Sequence, residues 1–250
     1  MKALITGASS GIGREMAHIL AAQGWELILV ARRKDKLDEV KKSLGGGKAQ
    51  VHTADLSRKK DCLELYQKYR DEDIDLLVCN AGFGLYGDFT ETELQREIEM
   101  IGTNVTAVHI LTKLFLRDFV RRDSGRILIT ASAAGFFPGP GMAAYYAGKH
   151  YVVCLAESLY EELRRRRSKA SVSVLCPGPV KTEFSSVAGV HFLLKPMTPR
   201  AVAAKGIQGA LHGRLHIVPG LTLKAAVFGR RFLSEKLQAR LAWYIQQQDR

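Results

Sequence analysis

The chain has 250 residues, with 37 Lys and Arg against 25 Asp and Glu and a formal net charge of +12. Its 46% hydrophobic and 25% charged content is that of a soluble globular protein. That balance excludes a disordered, collagen-like or disulfide-scaffold chain, and at roughly 100–200 residues per domain the length suits a single domain over 1–250.

Short apolar, β-branched runs alternate with helical periodicity from the N-terminus onward. Strands are expected at about 2–6, 25–31, 49–53, 74–80, 126–131, 171–176 and 215–218. Helices are expected at about 12–23, 34–44, 57–71, 91–121, 143–167 and 199–211. In the first helix Ile12, Met16, Ile19 and Leu20 share one face. Gly24 and the run Gly45-Gly46-Gly47 follow helices and suit C-terminal caps. This alternation predicts an α/β fold, a Rossmann-type doubly wound parallel sheet of about seven strands with helices on both faces. Ligands of such sheets bind beyond the carboxyl ends of the strands.

The longest uncharged stretch, 127–148, contains Gly135, Pro138, Gly139, Pro140 and Gly141, so no membrane-spanning segment is expected. Cys62, Cys79, Cys154 and Cys176 are scattered, which suits buried thiols in a reducing compartment. With no signal-peptide pattern at the N-terminus, the expected location is the cytoplasm. His212 and His216 are four apart, but Gly213 and a predicted strand deny them a common ligand face, so no metal is expected. Arg164 to Arg167 read as cations at a helix C-terminus, and without an aromatic platform nucleic acid is not an expected partner.

The first strand runs into Thr6-Gly7-Ala8-Ser9-Ser10-Gly11-Ile12-Gly13. Absent side chains there let the backbone approach a pyrophosphate, and the following helix presents free N–H groups and its positive dipole end. The glycine spacing G-x-x-x-G-x-G resembles the turn of the short-chain dehydrogenase/reductase family. The second strand ends Val30-Ala31-Arg32-Arg33-Lys34 with no acid to hold a ribose 2′-hydroxyl. A guanidinium there suits a 2′-phosphate, so NADP(H) is expected rather than NAD(H), with Arg32 first and Arg33 second.

Further segments match the family. Asp55 and Leu56 resemble its adenine contact, and Asn80-Ala81-Gly82 its sheet-supporting, cofactor-lining segment. On spacing alone Asp55 also reads as a helix N-cap and Asn80 as a turn residue. Ser132 follows the fifth strand, and thirteen residues on come Tyr145 and Lys149, four apart on one helix face. This set resembles the family's catalytic centre. A phenol near pKa 10 exchanges protons poorly at neutral pH, and a neighbouring ammonium is expected to lower that value. Ser132 would then stabilise the substrate oxygen. Asn104 resembles the family's fourth catalytic residue, whose carbonyl holds a water beside the lysine; as an Asn near Gly102 it also reads as a helix interruption.

The segment Cys176-Pro177-Gly178-Pro179-Val180-Lys181-Thr182 resembles the family loop that closes over the nicotinamide. Residues 183–198 are expected to form a substrate lid, in which Phe184, Val187, Val190, Phe192, Leu193 and Leu194 imply an apolar pocket wall. From 191 to 250, ten Lys and Arg face two acids, so +8 of the net charge lies there. In the extension 221–250, Phe228, Phe232, Leu233, Leu237, Leu241, Tyr244 and Ile245 recur at helical spacing among Arg230, Arg231, Lys236 and Arg240. Packing against the domain or a partner subunit is one reading; peripheral contact with an anionic membrane, or closure over an acyl substrate, is the other.

The resemblance implies an NADP(H)-dependent oxidoreductase interconverting a ketone and a secondary alcohol, assembled as a homodimer or homotetramer through the helices at 91–121 and 143–167. A 3-oxoacyl thioester reductase acting on acyl-carrier or coenzyme A substrates is the alternative within that class. A non-catalytic NADP-sensing module is the alternative outside it.

Overall fold

The computed structural model describes residues 1–189 and 196–247. Seven strands, β1 (Lys2–Thr6), β2 (Glu26–Ala31), β3 (Ala49–Thr53), β4 (Leu76–Cys79), β5 (Arg126–Thr130), β6 (Ser171–Leu175) and β7 (His216–Ile217), form one sheet. Every pairing is parallel, in the order β3-β2-β1-β4-β5-β6-β7. The sheet grows one way from β1 and the other way from β4. That reversal opens a crevice above their carboxyl ends.

Ten α-helices accompany these strands among the described residues: α1 (Gly11–Ala22), α2 (Lys34–Ser43), α3 (Lys59–Tyr69), α4 (Leu94–Ile101), α5 (Ala107–Arg121), α6 (Ala143–Arg165), α7 (Phe184–Ala188), α8 (Pro199–Leu211), α9 (Leu221–Gly229) and α10 (Glu235–Gln247). Alternate strand residues face opposite layers. Ala3 and Ile5 of β1 pack with Met16 and Leu20 of α1 and Ile207 of α8, whereas Leu4 packs with Phe115 of α5 and Val152 of α6. Both sheet faces are therefore dry, which explains why the strands read as continuous apolar runs. Burial of each large side chain there contributes about 1.5–3 kcal/mol.

Several boundaries differ from expectation. The seventh strand shrinks to two residues because only His216 and Ile217 find partners, Val174 and Leu175 at the end of β6. The stretch 91–121 begins its helix at Leu94, and Gly102–Thr106 form a π-helical turn between α4 and α5. A Cβ on Gly102 would lie 2.6 Å from the Ser57 carbonyl oxygen, so glycine lets this turn pack on the loop after β3. The C-terminal extension is not one helix: a 3-10 turn, Arg230–Phe232, separates α9 from α10. Cys62, Cys79 and Cys176 are buried free thiols as expected, but Cys154 is exposed on α6. No helix among the described residues is long and apolar enough to cross a membrane.

Candidate active site

The turn after β1 forms the floor of a cavity of about 990 Å³. Gly7 and Gly11 adopt φ of +66° and +54°, a left-handed backbone that favours glycine. A Cβ on Gly7 would sit 2.8 Å from Ala81 Cα, and one on Gly13 only 2.3 Å from the Gly7 carbonyl oxygen. Gly7, Ser9, Ser10, Gly11 and Ile12 line the cavity, while Gly13 lies buried beneath them. The Ser10 side chain makes no cap bond at the start of α1, and no acid stands in its first turn. The helix thus offers unpaired N–H groups and a positive dipole end to an anion. This cradle, which side chains would fill, fits a dinucleotide pyrophosphate.

Thr6, absent from the expected site, holds the floor in place. Its buried hydroxyl donates to Val78 O (3.1 Å) and accepts from Asn80 N (2.9 Å) and Ala81 N (3.0 Å). Asn80 Nδ2 donates in turn to the carbonyls of Thr6 (3.2 Å) and Gly7 (3.4 Å). The end of β4 is thereby laced to the end of β1 at the switch point. The only trace in the sequence is a hydroxyl residue directly before the glycine turn.

Both arginines after β2 line the cavity, but they differ. Arg32 makes no hydrogen bond among the described residues. Arg33 Nη2 reaches Ser9 Oγ (3.4 Å) and Glu183 Oε2 (2.8 Å). That hydrogen bond from Arg33 holds the Glu183 carboxyl below its ordinary range, against the opposing effect of burial. Asp55 and Leu56 also line the cavity. Asp55 is not the cap of α3, which begins at Lys59; its Oδ1 accepts from Ser57 N (3.1 Å) and Ser57 Oγ (2.8 Å). Burial pushes this carboxyl up, but the Ser57 hydrogen bonds and the charges of Arg32 and Arg58 outweigh it and hold it low.

Ser132, Tyr145 and Lys149 meet on one wall. Ser132 caps a 3-10 turn, Ala133–Phe136, its Oγ accepting from Ala134 N at 3.1 Å. A Cβ on Gly135 would lie 2.8 Å from the Lys149 carbonyl oxygen, so this turn rests directly on α6. Ser132 and Tyr145 both line the cavity, and Ser132 draws the Tyr145 phenol towards a lower pKa. Lys149 Nζ lies 5.6 Å from the Tyr145 ring centre and donates to Thr130 O at 3.0 Å. The electrostatics differ from expectation. Tyr145 is 8% exposed and Lys149 5%. Burial pushes the Tyr145 phenol above its ordinary pKa, with Ser132 acting the other way, and lowers the Lys149 amine to about 8. Low dielectric penalises phenolate and ammonium alike, and here that penalty dominates. Tyr146 also lines the cavity, its ring held against Gly139.

Asn104 sits in the π-helical turn, 2% exposed and behind the cavity wall, where its neighbour Thr103 is the lining residue. Its Oδ1 accepts from Phe83 N (3.1 Å) and its Nδ2 donates to Phe83 O (2.8 Å). Both amide ends thus engage backbone, rather than leaving the carbonyl for a water alone. A Cβ on Gly82 would lie 2.8 Å from Asn104 Oδ1 and 3.7 Å from Lys149 Nζ, so the two side chains converge around that glycine.

Pro177, Gly178, Val180 and Thr182 line the opposite side. Thr182 Cγ2 would be 3.0 Å from a Cβ on Gly11, which brings this loop onto the glycine turn. Paired bonds, Lys181 N to Met197 O and Met197 N to Pro179 O (both 2.9 Å), close the base of the excursion expected as a lid. Its helix α7 is docked, with Tyr86 N donating to Ala188 O (3.0 Å) and the Phe184 ring 5.4 Å from that of Tyr145. Val190, Phe192, Leu193 and Leu194 lie outside the described residues, as do the side chains of Val187 and Ile245. From the C-terminal extension, Leu223, Arg230, Leu233 and Leu241 reach the cavity, whereas Phe228, Phe232 and Tyr244 are turned outward. His216 pairs with Glu157 (2.8 Å), and no group of three metal-ligating side chains exists among the described residues.

Comparison with known proteins agrees with this geometry. Residues 1–189 match the short chain dehydrogenase family, and the chain belongs to it. It is 33% identical over 190 residues to a dehydrogenase/reductase SDR family protein 7-like of Drosophila melanogaster, covering 73% of this chain. That match spans 58% of the fly protein's length. A short-chain dehydrogenase from Sphingobium yanoikuyae, solved with NADPH, superposes with TM-score 0.84 at 31% identity, covering 92% of this chain and 93% of that one. An SDR from Burkholderia phymatum, solved with NAD, gives TM-score 0.84 at 26% identity with 92% of each chain covered.

Proposed function

We propose that the chain is an NADP(H)-dependent oxidoreductase interconverting a ketone and a secondary alcohol on an apolar substrate. The gathering of Ser132, Tyr145 and Lys149 on one cavity with the glycine turn, with the Lys149 amine 5.6 Å from the Tyr145 ring centre, carries this reading. When bound, the dinucleotide supplies the hydride and, oxidised, a positive ring. Gly7, Ser9, Ser10, Gly11 and Ile12 hold its pyrophosphate, and Asp55, Leu56, Asn80, Ala81 and Gly82 flank the nucleoside. Pro177, Gly178, Val180 and Thr182 cover the nicotinamide end. Ser132 donates a hydrogen bond to the substrate oxygen, stabilising charge as it develops. Tyr145 exchanges a proton with the same atom. Lys149 spends one N–H on Thr130 O and keeps two donors for ribose hydroxyls. Asn104 acts as a positioning residue, clamping the Phe83 backbone beside Lys149.

The guanidinium of Arg32, which makes no hydrogen bond among the described residues, supports NADP(H), with Arg33 becoming available once Glu183 releases it. Losing one charge-assisted contact costs about 1.5–3 kcal/mol. Arg32→Asp should therefore move the ratio of NADPH to NADH efficiency towards NADH by about 10- to 100-fold. An unchanged ratio would remove the assignment.

A screen of NADPH and NADH consumption over aliphatic ketones, aromatic ketones and 3-oxoacyl thioesters tests the activity itself. Exclusive use of thioesters would select the acyl-reductase alternative; dinucleotide binding without consumption of any substrate would select the sensing module. A cytoplasmic location fits the free thiols. A homo-oligomer is supported by exposed Leu94, Ile98 and Ile101 on α4 and Tyr151 on α6. Phe228, Phe232, Leu237 and Tyr244 stand outward beside Lys224, Arg231, Lys236 and Arg240, which supports peripheral contact with an anionic membrane. Co-sedimentation with phosphatidylglycerol vesicles should then fall as salt rises, and indifference to lipid would assign this face to protein packing.

A further inference from the structure

The substrate side of the cavity is walled by apolar and aromatic groups, among them Phe137, Met142, Tyr146, Phe184 and Leu223. Among the described residues one charge stands in this wall, Arg230. The remaining charged lining residues, Arg32, Arg33, Asp55, Lys149 and Glu183, belong to the dinucleotide and catalytic side.

The fold places Arg230 deliberately. It opens the 3-10 turn between α9 and α10, and Gln238 Nε2 fixes that turn by donating to Arg230 O (3.0 Å) and Leu233 O (2.9 Å). Upstream, Leu223 of α9 lies against Gly178, where an added Cβ would be 3.5 Å from Leu223 Cδ2. The guanidinium carbon sits 5.6 Å from the centre of the Phe136 ring, in the turn that Ser132 caps. Its Nε is buried and has no hydrogen-bond partner among the described residues. An aromatic face attracts the charge but accepts no in-plane hydrogen bond, so a buried donor remains unsatisfied. By contrast, Arg164 and Arg165 both bind Glu161, at 2.6 and 3.2 Å.

Arg230 is badly placed for the nucleotide 2′-phosphate. That end of the site follows β2, whereas Phe136 follows β5 and touches His216 of β7. Between β2 and β5 lie β1 and β4, three strand spacings or about 14 Å.

From these observations we infer that Arg230 anchors an anionic group of the substrate, so that the ketone is an apolar molecule carrying an oxyanion remote from its carbonyl. The inference rests on the oxidoreductase reading and extends it to a substrate class. A planar guanidinium with paired donors suits a carboxylate or a phosphate ester equally.

The test uses the full chain with oxo-carboxylic acids of increasing chain length, their methyl esters and the matching phosphomonoesters. At the preferred length the wild-type enzyme should favour an anionic ketone over its ester by about tenfold or more in kcat/KM. Arg230→Gln should erase that ratio, chiefly through KM of the anion, and Arg230→Lys should retain part of it. Calorimetry should show the anion bound by the wild-type protein and about tenfold more weakly by Arg230→Gln. Preference between the carboxylate and phosphate arms identifies which oxyanion is recognised. Equal use of anion and ester by the wild-type enzyme, or a ratio unmoved in Arg230→Gln, would overturn the assignment while leaving the reductase intact. If no ketone were consumed, the oxidoreductase reading would fall, and the calorimetric difference would still decide the anion site.

Discussion

Tyr145→Phe is expected to lower ketone turnover by about 10³-fold, within the range that a positioned proton donor supplies, while NADPH affinity should stay within about twofold because the ring and its packing persist. The variant keeps the edge contacts with Tyr146 (6.1 Å between centres) and Phe184 (5.4 Å). Ser132 still accepts from Ala134 N. Only the hydroxyl proposed to meet the substrate oxygen is removed. Steady-state kcat and fluorescence titration with NADPH check the two halves separately. The buried setting makes this a demanding role, since it raises the phenol pKa and lowers that of Lys149 to about 8. The phenol is thus a weaker acid in the cofactor-free protein than a solvated tyrosine, and a positive charge brought beside it by the oxidised dinucleotide would act the other way. Activity above a tenth of wild type would move proton transfer to another group, with Tyr146 on the same wall as the first candidate.

Gly13→Ala is expected to be the most damaging small substitution in the turn. Its Cβ would meet the Gly7 carbonyl oxygen at 2.3 Å and Asn80 Nδ2 at 2.6 Å. Neither neighbour can yield cheaply. A Cβ built on Gly7 would itself lie 2.8 Å from Ala81 Cα, so Gly7 has little room to shift that way, and Asn80 is bonded to the turn it would have to leave. Overpacking of this kind costs about 1–3 kcal/mol, equivalent to roughly 2–12 °C in Tm for a chain of this size. Displacing Gly7 also tilts the pyrophosphate cradle, so NADPH affinity should fall at least about tenfold, which is 1.4 kcal/mol. Gly24 provides the contrast: it has φ +79° but open space around it, so alanine there meets backbone strain without a clash. A Gly13→Ala protein with unchanged Tm and NADPH affinity would refute this account of the turn.

Much of the site was legible because the relevant signals are local. The glycine spacing, the four-residue step from Tyr145 to Lys149 and the hydroxyl after β5 each lie within one turn or one helix. Asn104 shows where such signals stop. Its oddity inside a helical stretch was visible, yet its engagement of Phe83, twenty-one residues away, was not. Thr6 and Arg230 carried no distinctive local mark. A threonine before a turn and an arginine in a basic tail are commonplace until packing supplies their partners or withholds them.

Periodicity and spacing in the sequence determined the α/β class and the succession of strands and helices, because those follow from how one short segment of backbone buries its apolar face, while the expected site residues came from the motifs that resemble the family. The tertiary structure decided the rest. It set the strand order around β1 and β4, the pairing of Arg33 with Glu183 across 150 residues, the break between α9 and α10, and the direction in which burial moves Tyr145 and Lys149. Desolvation and long-range contact depend on what the whole chain packs around a group, and no neighbouring residues in sequence encode that surrounding.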